Sequence, residues 1–108
     1  MAYDEGLAQL LRDELADEPI VEKKMFGGIC FMLNGNMLCG VHKGGAMFRV
    51  GKENEAAALA VPGAGPMMMT GRKMSSMIDL AGEAAADDAR RARIMTLALG
   101  FVKSLPPK

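Results

Sequence analysis

The stretch Ile29-Cys30-Phe31-Met32-Leu33-Asn34-Gly35-Asn36-Met37-Leu38-Cys39-Gly40-Val41-His42 decides how this chain folds. Asn34-Gly35 sits between two apolar runs. A type I′ turn needs positive φ at both central positions, and Asn-Gly meets that need better than other dipeptides. The stretch therefore reads as a β-hairpin. Counting outward, Leu33 faces Asn36, Met32 faces Met37, Phe31 faces Leu38 and Cys30 faces Cys39. Antiparallel pairs alternate between hydrogen-bonded and non-bonded. With Leu33/Asn36 bonded, Cys30/Cys39 falls in the closer, non-bonded class. Such a pair lies within the Cα separation of about 4.4–6.8 Å that a disulfide accepts.

Gly44-Gly45 is a second turn signal, and residues 46–50 form the next strand. The three strands then present two faces. One carries Cys30, Met32, Met37, Cys39, Val41, Phe48 and Val50. The other carries Ile29, Phe31, Leu33, Leu38, Gly40, His42, Met47 and Arg49. Both are largely apolar, whereas a surface antiparallel sheet usually turns one polar face to water. Helices can cover one face. The other needs a further cover, or it marks an interface, and a homodimer or a regulatory protein partner is expected there.

Working outward, Asp4 caps a helix over residues 4–16, with Leu7, Leu10, Leu11 and Leu15 at helical spacing. Residues 20–33 read as extended, with Gly27-Gly28 a bulge or tight bend. Residues 53–60 are rich in Ala and Glu and read as a short helix. Two Pro and two Gly make 61–66 a loop. Strands are expected over 67–70 and 74–80, joined through Thr70-Gly71, and 81–86 is a small-residue connector. Asp87 and Asp88 start the last helix, whose stripe of Ile94, Leu97, Ala98, Phe101, Val102 and Leu105 ends at Pro106-Pro107. The order is α-β-β-β-α-β-β-α. It implies an α+β fold of two layers, an antiparallel sheet of about five strands flanked by helices.

The chain has 108 residues, enough for one domain with its own core, and half of them are hydrophobic. Thirteen acids balance 13 Lys plus Arg. That balance speaks against direct nucleic-acid binding and against a membrane-surface role. No apolar run is long enough to span a bilayer, and the Met-Ala-Tyr-Asp-Glu start is not a secretory signal. A cytoplasmic location with reduced cysteines is expected. The most unusual feature is 11 Met with no Trp. Met fills irregular gaps in cores and interfaces.

Several motifs together resemble one family. They are Met25-Phe26-Gly27-Gly28, Phe31-Met32, Asn34-Gly35-Asn36-Met37, Cys39-Gly40-Val41, Arg49-Val50-Gly51, Pro66-Met67, Thr70-Gly71-Arg72 with Met74, and Leu105-Pro106-Pro107-Lys108. The run is similar to the N-terminal domain of the TfoX/Sxy competence regulators, and the likeness covers essentially the whole chain, 1–108. It implies an α+β fold and a regulatory, non-catalytic role as a transcription co-regulator in DNA uptake. It implies no catalytic residues and no cofactor. Full-length regulators of this kind carry a second, C-terminal domain, so this chain reads as the N-terminal-like domain standing alone.

Chemistry-bearing residues are few. Cys30 and Cys39, with Met32 and Met37 beside them, could form a redox pair or a soft-metal site, since thiolate and thioether donors favour Cu(I). The alternative is two small buried hydrophobes. His42 is the single histidine and falls on the face opposite the cysteines, so it builds neither a zinc set nor a nucleophile–base pair. Met67-Met68-Met69 places only two thioethers on one side of a strand. Arg49, Arg72 and Lys73 are the candidates for an anion or interaction site, with Arg90, Arg91 and Arg93 for weak nucleic-acid binding. The leading expectation is an interaction module. A thiol redox or metal-responsive protein is second, and a weak nucleic-acid binder third.

Overall fold

The Asn34-Gly35 turn forms as its residues require, with φ of 54° and 81°. In the computed structural model, which describes residues 3–25, 27–69 and 71–108, it joins two strands of one sheet. These are β2 (Gly28–Leu33) and β3 (Asn36–His42). The others are β1 (Ile20–Met25), β4 (Gly45–Arg49), β5 (Ala64–Met69) and β6 (Arg72–Ala81). All pairings are antiparallel, in the order β1-β2-β3-β4-β6-β5.

The α+β expectation holds, with six strands in place of about five. The extra strand comes from residues 20–33, which read as one extended run. They fold as a hairpin, β1 onto β2, with Gly27 at φ 72° next to Phe26, which lies outside the described residues. The loop expected over 61–66 is shorter, because β5 already begins at Ala64.

Among the described residues there are also four helices: α1 (Glu5–Glu14), α2 (Glu55–Leu59, after a 3-10 turn at Lys52–Asn54), α3 (Gly82–Ala85) and α4 (Asp88–Lys103). Asp4 caps α1 by accepting from the Leu7 N–H at 3.1 Å. Asp87 does the same for Arg90 at 3.0 Å. Each side-chain oxygen satisfies a donor that the first helical turn cannot. Leu7, Leu11 and Leu15 from the first segment, and Ile94, Met95, Ala98 and Val102 from α4, pack on Phe31, Phe48, Val41 and Leu80 of the sheet. Each such fully buried side chain stabilises the fold by about 1.5–3 kcal/mol. Every helix that contributes to a buried cluster contributes to this one.

The hairpin register departs from simple counting. Leu33 pairs with Asn36 and Met32 with Met37, but Phe31 then pairs with Cys39 and Cys30 with Gly40. Leu38 is the extra residue of a β-bulge, which inserts one residue on one strand and reverses which side each later residue faces. Leu38 and Cys39 consequently both lie in the helix-side core. The expected faces must be redrawn. Cys39, Val41, Phe48 and Val50 join Ile29, Phe31, Leu33 and Leu38 beneath the helices. Gly40, His42 and Met47 cross to the side of Cys30, Met32 and Met37.

Candidate functional site

Among the described residues, no helix contributes to the buried cluster on the second face of the sheet. Its buried cluster consists of Cys30, Met47, Met67 and Met77, with Met32, Met37 and Met74 packed around them. All seven side chains carry sulfur, and all belong to strands. The helix-side core, on the same sheet, is built of Leu, Ile, Val, Phe and Ala with only Met95 and Cys39 added to its buried part. Methionine is therefore sorted by face, not spread evenly.

Successive cross-strand partners build one row across the whole sheet: Lys23, Cys30, Gly40, Met47, Asp79 and Gly65. Gly40, at the centre of this row, has no side chain, and its neighbours fill the room that one would take. A Cβ placed there would lie 2.8 Å from the Met47 Cε methyl and 3.3 Å from Cys30 Sγ. The two neighbours lean into the space that a side chain would fill. At the rim, Val21, the cross-strand partner of Met32, is 59% exposed.

The predicted cysteine pair is not formed. Cys30 is on the methionine side, Cys39 is under the helices, and both are free thiols. The bulge at Leu38 is the reason. Burial raises the Cys30 thiol above its ordinary pKa. It raises Cys39 well above, helped by the charges of Cys30 and Glu14. The donor set imagined from sequence thus loses Cys39, keeps Cys30, Met32 and Met37, and gains Met47, Met67, Met74 and Met77. Strict alternation would set Met74 and Met77, three residues apart, on opposite sides of β6. Ser76, at φ 70°, breaks that alternation.

His42 is also corrected. It is half-buried and shares the face of Cys30 rather than lying opposite it. Its Nδ1 accepts from the Gly44 N–H at 3.0 Å, so the ring proton sits on Nε2 and donates to Asp79 Oδ1. Both nitrogens are engaged. Among the described residues no group of three or more His, Cys, Asp and Glu gathers to hold a metal.

The basic candidates do other work. The Arg49 guanidinium stands over the Phe101 ring, 5.7 Å from its centroid, a cation–π contact. Arg72 and Lys73 lie past Met77, the last residue of β6 paired with β4, and Lys73 reaches Glu55 at 3.8 Å. Arg91 is buried and donates to Glu14, Asp88 and the Ala85 carbonyl. A cleft of about 480 Å³ opens beside Phe101, lined by Gly51, Asn54, Ser76 and Ser104. Asn54 already donates to the Val50 carbonyl and Ser104 to that of Phe101, so these polar groups are satisfied internally. No helix among the described residues is long and apolar enough to cross a membrane.

Compared with known proteins, residues 9–102 match the model of the family described as the TfoX N-terminal domain. No curated protein and no solved structure matches.

Proposed function

Since the chain belongs to the TfoX N-terminal domain family, we propose that it is a regulatory, non-catalytic module that docks a second copy of itself on the helix-free sheet face. The observation that carries this reading is a methionine-rich sheet face to which no described helix contributes, with Met32, Met37 and Met74 partly exposed around its buried centre. Unbranched thioether side chains adapt to a partner surface better than branched aliphatics do.

Charge placement favours a second copy as the occupant. In the central row Lys23 stands two strands to one side of Gly40, and Asp79 two strands to the other. A two-fold axis lying above the sheet over Gly40, parallel to the strands, would set Lys23 of each copy opposite Asp79 of its mate. Such self-complementarity is what an isologous interface requires. A family tie to competence regulators supports a role in controlling transcription of uptake genes, with the dimer as the regulatory unit.

The test is solution mass by light scattering over a concentration series. A dimer is expected, weakened by Lys23→Asp or Asp79→Lys alone and restored when both changes are combined. A monomer at every concentration, or a dimer indifferent to Met37→Glu, would overturn it.

A further inference from the structure

We propose that the same face contains a binding site for one monovalent soft metal ion, of the Cu(I) type, with the Cys30 thiolate as anionic ligand and thioethers of Met47, Met67 and Met77 as its partners. The site does not depend on the docking reading, and each can fail without the other.

Three observations lead here. First, the donors are pure sulfur. Thiolate and thioether ligands select Cu(I), whereas carboxylate and imidazole would draw zinc or harder ions. The one imidazole nearby, His42, has both nitrogens occupied. Second, the donors belong to one packed cluster. Cys30 comes from β2, Met47 from β4, Met77 from β6 and Met67 from β5, and over Gly40, where no side chain intervenes, Cys30 Sγ and the Met47 methyl close on one point, 3.3 Å and 2.8 Å from where a Cβ would stand. Third, the charge fits. Cys30 is fully buried and Met47 nearly so, with relative exposures of 0% and 2%. An isolated charge is costly in such surroundings. One thiolate with one monovalent cation makes a neutral unit, while a divalent ion on the same ligands would leave a buried net charge.

Binding is a simple exchange. The Cys30 S–H bond breaks, its proton leaves to solvent, and a metal–sulfur bond forms in its place. Sulfur keeps its oxidation state, and the ion must arrive as Cu(I). A raised thiol pKa means that proton release works against binding at low pH, so affinity should rise with pH.

The experiment is an anaerobic titration of the full chain with Cu(I) against a chromogenic Cu(I) chelator, repeated with Ag(I) as a redox-inert probe. One equivalent should be retained, with only sulfur in the first coordination shell by X-ray absorption. Cys30→Ser should weaken binding by more than about 100-fold, beyond the 10–100-fold typical of a change outside the ligand set. Met47→Leu, which conserves volume, should weaken it less but measurably while the thermal transition stays in place. Cys39→Ser, under the helices, should leave affinity unchanged. The proposal falls if no Cu(I) is retained against the chelator, if Cys39→Ser is as damaging as Cys30→Ser, or if Zn(II) binds as tightly.

Discussion

Asn36 donates from Nδ2 to the carbonyl of Pro106 at 3.0 Å, tying the Asn-Gly hairpin to the C-terminal tail. The Lys108 N–H donates in turn to the Asn34 carbonyl at 2.8 Å. Asn36 is only 2% exposed, so its amide has little access to water as a substitute. Asn36→Ala should therefore cost about 1–2 kcal/mol. Removing residues 106–108 should cost a similar amount, and the two together should cost less than their sum, because they break one shared link. Urea midpoints of the four proteins decide this. Strict additivity would show that the tail and Asn36 do not act together.

Gly40→Ala should destabilise the protein by about 1–3 kcal/mol, the range of an overpacked core. The new methyl would stand 2.8 Å from the Ile29 carbonyl oxygen as well as from Met47. Met47 can move, but the β2 backbone cannot do so cheaply. Adding Met47→Ala should thus fail to restore stability. Thermal denaturation of the single and double variants measures it, and full rescue would locate the clash in the side chain alone.

Alkaline pH should destabilise the fold through Cys39. Burial, then the charges of Cys30 and Glu14, hold this thiol protonated well above its ordinary pKa. The folded state therefore binds the proton more tightly than the unfolded state. The contribution is complete below the unfolded thiol pKa and is lost as pH rises towards the folded one. Denaturant midpoints should fall over that alkaline range, and Cys39→Ala should flatten the fall. A thiol reagent at pH 8 should leave both cysteines unmodified in the native protein and label both after unfolding.

Arg91→Lys should cost about 1–2 kcal/mol despite keeping the charge. Its guanidinium donates from Nε to Glu14 at 2.6 Å, from one terminal nitrogen to the Ala85 carbonyl at 2.9 Å, and from the other to Asp88 at 2.7 Å. An ammonium group cannot span three separated acceptors. A Lys variant as stable as the parent, by urea denaturation, would show that charge alone suffices.

Much of the fold was readable in advance because its signals are local. Asn34-Gly35 specifies a turn through the φ values its backbone must adopt. Asp4 and Asp87 mark helix starts through one hydrogen bond each. The apolar second face also followed from alternation, and it is the surface that carries the candidate site. Two things were hidden. Gly27-Gly28 marks a bulge or tight bend within residues 20–33, but its composition does not say that the chain reverses there into β1 and β2. The bulge at Leu38 has no glycine or proline to announce it, and one extra residue moved Cys39 to the other side of the sheet.

The sequence by itself thus determined the class of fold, the main hairpin, the two capped helices and the presence of more apolar strand surface than the helices could cover. Those follow from backbone preferences and from hydrophobic periodicity, which act over a few residues. Tertiary structure alone decided which cysteine meets the methionines, and that Met47, Met67 and Met77 join Cys30 although they come from three other strands. Side-chain facing has a period of two, so a single residue of slip reverses it, and only the packed sheet fixes that slip.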